Sequence, residues 1–494
     1  MQGGTTMLKF NKATLRDKIY ACWMGKNIGG TLGGPYEGRQ QINDVQGFVT
    51  KPGEVLPNDD LDLQLIWLKA MEEQGPDGVN AQVLGEYWLS FIGPTWNEYG
   101  VGKSNLRAGM PAPMSGEYNN EYWRHSNGAW IRTEIWACLY PGNVEKAIEY
   151  AFADASVDHG FGEGSYAAIF VAAMESAAFV FNDIETLLQI GLSKIPADCR
   201  IARSVNIVRD AYKSGKTWQQ ARQLVVEDSA DLGWFQAPAN VAFVVIGLLY
   251  GEGDFKRSMI LAVNCGDDTD CTGATIGSIM GIMGGTAFVP KDWSEHLGDK
   301  IEQMCLLNGH GNYPTTLTEL TDVVMNMLPI TLHIPFFRTS YKTNYLDILV
   351  YDGEDEFSEI TPESYYGAAF VEANFGKADY CVIAKSTYIE AKVELLDKPE
   401  IQEEGTIRAK ITAKFRGNVY QQHCNVNWYL PEGWTVRGKK DLHIMKLDHY
   451  KHPCNEGIYE ITAGQNVVGC NHIVVELKPV DRSESAFASF TIMG

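Results

Sequence analysis

The sequence predicts a multidomain α and β protein, with a large all-α domain over residues 8–330, a linker at 331–343 and a C-terminal antiparallel β-sandwich over 344–494. Three observations lead there. From Leu8 to about Met327 apolar residues recur at helical spacing between Gly- and Pro-containing turns, and alternating runs of Val, Ile and Thr are scarce. The stretch 328–343, with Pro329, Pro335 and few helix formers, breaks that pattern. From Asn344 onward apolar and polar residues alternate between turn signals, as half-buried strands require.

In chain order, the first helix ends in a Gly-rich segment, 25–38, and Glu37 follows Pro35 and Tyr36 in a turn. Pro57-Asn58-Asp59-Asp60-Leu61-Asp62 then opens an apolar-periodic helix whose Leu61, Leu65 and Leu68 share a face. Asn58 or Asp59 caps this helix, with the other carboxylates at the positive end of its dipole, or the turn holds a metal. The stretch 94–127 is longer than a structural connection needs. It runs into SNGAWIRTEIWACLY, where Ser126, Asn127 and Gly128 either form an ordinary helix cap or offer free N–H groups to an anion. Helical spacing covers 143–154, 164–181, 217–227 and 239–250, and His159 falls in a polar, glycine-flanked turn between two of these, as a structural residue or a ligand contact. In the stretch 264–285 Asp267, Asp268 and Asp270 crowd together, which costs free energy through like-charge repulsion unless a cation or a helix N-terminus compensates. Gly273, Gly277, Gly281 and Gly285 follow every four residues, so one helix face is bare and a neighbouring helix can approach closely. Two acidic turns that each open a packed helix point to a metal site. The strand-rich region carries YCVIAKSTYIEAKVELL, GTIRAKITAKF, CNVNWYLPEGWTV, GIYEITA, HIVVELKPV and ASFTIMG, with no cluster of catalytic spacing.

The 494 residues carry a net charge of −21, which argues against nucleic acid as the main partner, since a phosphate-binding surface needs clustered Lys and Arg. No apolar run is long enough to span a membrane, and the N-terminus lacks the apolar core of a secretory signal, so a cytoplasmic protein is expected. Met7 is a candidate natural start. The ten cysteines form no CxxC pair, so zinc-ribbon chemistry is absent and reduced, mostly buried thiols are expected.

Gly29 to Glu37, the Asn58-Asp59-Asp60 turn, SNGAWIR, His159 in VDHG and GDDTDCTGATIGSIMG together resemble the ADP-ribosylglycohydrolase family, in the same order, over roughly residues 15–325. The resemblance implies an all-helical domain holding two magnesium ions between two acidic turns. Carried over by motif, the metal ligands are Asn58, Asp59 and Asp60 in one turn, and Asp268, Asp270 and Cys271 in the other. Where the family has threonine this chain has Asn58, whose amide oxygen is still a hard ligand, and Cys271, whose soft sulfur suits magnesium poorly and shifts the site toward manganese or toward Thr272 or Asp267. Gly30 stands where many members carry an aspartate. The resemblance further implies Glu37, Asp60 and Asp270 as catalytic residues, with Glu37 orienting the ribose or exchanging a proton. Asp62 and Asp267 support the ligands, Ser126, Asn127 and Gly128 contact a diphosphate, and His159 stands beside a ribose. The tail resembles, through WYLPEGWTV, immunoglobulin-like sandwiches appended to carbohydrate-active enzymes.

The chemistry is coherent with those residues. A ribosyl bond breaks through an oxocarbenium-like state, which needs the sugar held, a carboxylate nearby and a delivered water. Two cations about 3.5 to 4 Å apart can bind sugar hydroxyls and activate that water. The expected activity is hydrolysis of an N- or O-glycosidic ADP-ribosyl linkage, on free or protein-attached ADP-ribose. The alternatives are a different glycoside or nucleoside on the same scaffold, or a non-catalytic binding protein.

Overall fold

The computed structural model describes residues 6–307, 312–332, 346–357, 360–376, 378–415, 421–445 and 455–494. A large helical region is followed by antiparallel sheets, in the predicted order. The described residues open, however, on a strand. Thr6–Asn11 pairs in parallel with Leu346–Tyr351, and Leu8 and Phe10 bury into the helical core. A single short strand with so distant a partner has no local signature. Asn11 then caps the first helix, Lys12–Gly33, its side-chain oxygen accepting from the Thr14 N–H at 2.9 Å.

The glycine-rich stretch expected to end that helix lies within it as far as Gly33. Its offset is a second glycine face. Lys12–Gly33 runs antiparallel to Thr269–Gly284, with Gly25 on Gly277, Gly29 on Gly273 and Gly281 on Ala21, and a β-carbon at any of these glycines would strike the opposing backbone. Gly285 is not part of the stripe; it ends the helix as its cap, with φ of 66°.

Around this pair stand Val144–His159, Glu163–Ala178, Trp218–Asp228 and Ala237–Tyr250, close to their expected spans. Val144–His159 runs about a turn beyond the apolar spacing, because the polar residues Asp158 and His159 are buried in hydrogen bonds. Ala237–Tyr250 is buried nearly all round, so it is covered by other elements on every face. Helix Leu317–Thr331 takes in the start of the pattern-breaking stretch 328–343, including Pro329, and the first residue of the expected linker. Of that linker, residues 333–343 lie outside the described residues. Ile360, Tyr365 and Val371 rejoin the helical core, and the Tyr365 hydroxyl donates to the Gly142 carbonyl at 2.9 Å.

The C-terminal strands form two antiparallel sheets. One has the spatial order Tyr380–Lys385, Ile389–Leu395, Thr406–Phe415, Glu456–Thr462, Thr435–Arg437; the other Ala486–Met493, Cys470–Pro479, Gln421–Tyr429, Asp441–Met445. Ile389–Leu395 buries every second residue, and Ile411, Tyr459, Ile473 and Phe490 from the two sheets meet in one apolar core. Met110, Met114 and Tyr118 from the long stretch 94–127 belong to that same core. Every cysteine among the described residues is free and all but Cys470 are buried. Among the described residues no helix is long and apolar enough to cross a membrane.

Candidate metal centre and cleft

The glycine contact brings two helix ends together. Gly33 closes the first helix against Thr269, whose Oγ1 donates to the Gly33 carbonyl at 2.8 Å. One 3-10 turn further, Gly34–Tyr36, Glu37 hangs over the acidic turn, and the Gly38 N–H donates to the Asp267 carbonyl at 2.8 Å. The helix Asp59–Gln74 supplies the second acidic turn, capped by Asn58, whose Oδ1 accepts from the Asp60 N–H at 2.8 Å. The Asn58 amide nitrogen fills the space that a β-carbon at Gly30 would need. Gly30 thus makes room for the Asn58 side chain.

Two ligand groups result. Asp60, Asp270 and Cys271 form one, Glu37, Asp268 and Asp270 the other, and in each the ligand atoms lie within 4.8 Å of one another. Asp270 belongs to both. Asp59 faces the same cleft outside either group, its Oδ2 accepting from the Tyr99 hydroxyl at 2.8 Å. Asp60 Oδ2 and Asp270 Oδ1 are buried without a hydrogen-bond donor. Burial, then Asp270, raises the Asp268 carboxyl well above the usual range, and burial does the same to Asp60 against the pull of Lys26. Asp270, followed by burial and Asp59, pushes Glu37 up to about 8. So many buried carboxylates with bare oxygens form a hard-oxygen donor set that fits divalent cations.

Part of the charge is balanced internally. Lys26 is buried, its Nζ donates to Glu134 Oε1 and to the Ile131 carbonyl, each at 2.7 Å, and it stands 3.7 Å from Asp60 Oδ2. Burial alone would lower its pKa; Glu134 and Asp60 outweigh that and hold it protonated. Sequence reasoning missed Lys26 and Glu134. The available signal was Lys26 standing among Cys22, Trp23, Gly29 and Gly30 on the buried face of its helix.

Ser126, Asn127 and Gly128 line the cleft of about 500 Å³ together with Glu37, Asp59, Asp268 and Asp270. No long helix starts at them; a 3-10 turn, Trp130–Arg132, and the short Glu134–Leu139 follow. The Ser126 N–H donates to the Trp123 carbonyl at 3.1 Å and the Asn127 N–H to the Phe235 carbonyl at 3.2 Å. The Asn127 side chain donates to Asp268 Oδ2 at 2.6 Å and accepts from Trp130 Nε1 at 3.1 Å. His159 lies behind this wall, fully buried at the end of its helix, with Nε2 3.0 Å from Ser126 Oγ and Nδ1 2.8 Å from Asp158 Oδ1. Arg132 secures Asp154 and Asp158 from below, at 2.9 and 2.8 Å. Asp62 and Asp267 act as braces: Asp62 Oδ2 accepts from the N–H groups of Met304 and Cys305 at 2.6 and 2.7 Å, and Asp267 from Phe235 N–H and Asn240 Nδ2, both at 3.1 Å. Trp96, Glu98, Tyr99 and Phe235, none of them foreseen, complete the cleft.

A model of the ADP-ribosylglycohydrolase family matches residues 11–320. The chain belongs to the ADP-ribosylglycohydrolase family. The family match ends before the C-terminal sheets and contains every residue of the cleft. An uncharacterized protein of Archaeoglobus fulgidus is 25% identical over 305 residues, 58% of this chain and 93% of that protein. Among solved structures, one titled ADP-ribosylglycohydrolase-related protein complex covers 65% of this chain and 99% of its own at 19% identity, with a TM-score of 0.43. The GAE domain of GGA2p from Saccharomyces cerevisiae covers 22% of this chain and 96% of its own at 9% identity, with a TM-score of 0.16.

Proposed function

We infer that the chain is a metal-dependent hydrolase of a ribosyl glycosidic bond, with magnesium as the working ion and manganese as the alternative that Cys271 suits better. The observation that carries this is Asp270, shared by two carboxylate groups at the floor of one cleft. Asp60, Asp270 and Cys271 would hold one ion and Glu37, Asp268 and Asp270 another, with Asn58 and Asp59 beside them. Bound cations there supply neutralising charge, a grip on sugar hydroxyls and an activated water. The chain's own residues do the rest. Asn127 fixes Asp268, Tyr99 fixes Asp59, and His159 acts through Ser126 by orienting its hydroxyl. Glu37, at the cleft mouth, orients the ribose or exchanges the proton with the departing group.

The family name makes the ADP-ribosyl linkage the first substrate reading. A second, a glycoside or nucleoside without a diphosphate, is favoured by the charge of the cleft: among the described residues no Lys or Arg lines it, while Glu37, Asp59, Glu98, Asp268 and Asp270 do. The domain division at 330 and 344, and the C-terminal sheets as an immunoglobulin-like accessory module, belong to the same proposal. The test is metal-stripped protein titrated with magnesium or manganese, followed by melting temperature and by hydrolysis of ADP-ribosyl and nucleoside substrates. A rise in melting temperature and metal-dependent turnover are expected, with turnover falling at least about 100-fold in Asp270→Asn. Turnover indifferent to both metal and Asp270 would sink the reading.

A further inference from the structure

The smaller of the two C-terminal sheets brings together a group of side chains that lies outside the cleft and has no mark in the sequence. Gln421–Tyr429 and Asp441–Met445 pair antiparallel, with His423 directly opposite His443 and Asn425 opposite Asp441. Successive residues of a strand face opposite ways, so Cys424, Leu442 and Ile444 enter the core between the sheets while His423, Asp441 and His443 share the outer face. There His423 Nδ1 lies 3.0 Å from His443 Nε2, and the two ring centroids are 4.4 Å apart. A ligand atom from each histidine and a carboxylate oxygen of Asp441 lie within 4.8 Å of one another, with Asp441 and His443 exposed and His423 half-buried. Two imidazoles and a carboxylate are donors that zinc takes, and a tetrahedral ion holds its nitrogen ligands about 3.3 Å apart, so small turns of these side chains close the set. A hydrogen bond between the rings accounts for the two histidines but not for the acid beside them. Asp441–Met445 is also the last strand of its sheet, where a tie between side chains adds most to what the backbone pairing holds.

We propose that His423, Asp441 and His443 form a second metal site, for zinc or a similar borderline cation such as nickel, which clips the edge strand Asp441–Met445 to Gln421–Tyr429. Imidazole nitrogen suits such ions better than it suits magnesium, so this site and the carboxylate cleft select different cations. Three protein ligands on an open face leave the ion's remaining position to water. The site stands apart from the hydrolase reading and does not depend on it.

The experiment is calorimetric titration of the full chain with zinc chloride in excess magnesium, run on wild type, His443→Gln, Asp441→Asn and Asp270→Asn, with melting temperatures alongside. Wild type should bind a zinc equivalent that persists in Asp270→Asn, a change confined to the cleft. That equivalent should weaken at least about 100-fold in His443→Gln and roughly 10-fold or more in Asp441→Asn. Zinc should raise the melting temperature of wild type more than that of His443→Gln, while magnesium-dependent turnover stays the same in both. His443 is exposed, so its substitution should leave the fold intact; if His443→Gln melts early without zinc, Asp441→Asn decides. Zinc binding that is identical in wild type, His443→Gln and Asp441→Asn overturns the proposal, as does no zinc binding or binding lost entirely in Asp270→Asn. Magnesium without effect on melting or turnover would defeat the hydrolase and leave this zinc equivalent in place.

Discussion

A thiol stands where two carboxylates converge, with Cys271 Sγ donating to Asp60 Oδ1 at 3.3 Å, and sulfur prefers softer cations than magnesium. Burial, followed by the surrounding aspartates, raises the pKa of that thiol well above its ordinary value. Cys271→Thr restores a hard oxygen. Its magnesium affinity should rise on the order of tenfold, and its preference for manganese should shrink, both read by calorimetric titration. Lys26 makes the opposite case. It is the buried cation that lets Glu134 and Asp60 coexist without water, and its removal leaves both carboxylates uncompensated. Lys26→Met should therefore lose about 3–5 kcal/mol of stability in urea unfolding, with part of the loss recovered on adding a divalent ion.

At the scale of elements, the facing glycines do more than allow close packing. The contact of Gly33 with Thr269 sets how far Glu37 stands from Asp268 and Asp270. Gly277→Ala inserts a methyl where the Gly25 carbonyl lies, and should cost about 1–3 kcal/mol while also blunting the rise in melting temperature that divalent ions produce. A folded variant with an unaltered metal response would show that the helices yield without moving the turns. The stripe from Gly273 to Gly281 was legible because its period is local, and the acidic turns because adjacent like charges demand an explanation. What could not be read was the partner of the stripe, Gly25-Gly29-Gly33 in the first helix, since a distant pairing leaves no mark in either segment. The same reason hid the strand Thr6–Asn11. Glu98 and Glu134 escaped because each looks like an ordinary helix residue; only the Gly128 turn and the buried Lys26 give them meaning. His159, expected in a polar, glycine-flanked turn as a structural residue or a ligand contact, is the last buried residue of a helix, hydrogen-bonded to Asp158 and Ser126.

In the whole molecule each part lends residues to the core of the other. Met110, Met114 and Tyr118 enter the core between the sheets, while Ile360, Tyr365 and Val371 enter the helical one. The stretch that reaches into the sheets also carries Glu98 and Tyr99 at one end and Ser126 at the other, so the sheets brace the wall of the cleft. The intact protein should then unfold in a single calorimetric transition. Met114→Glu, which buries a charge at the junction, should split it into two and weaken ligand binding without touching the metal ligands. The parallel pairing of Thr6–Asn11 with Leu346–Tyr351 has a consequence for biosynthesis. Thr6–Asn11 has its partner only after the helical region that follows it has been made, and Lys12–Gly33 waits nearly as long for Thr269–Gly284. Until then the nascent chain shows an unpaired strand edge and a bare glycine face, so the cleft is assembled only once these distant segments have met.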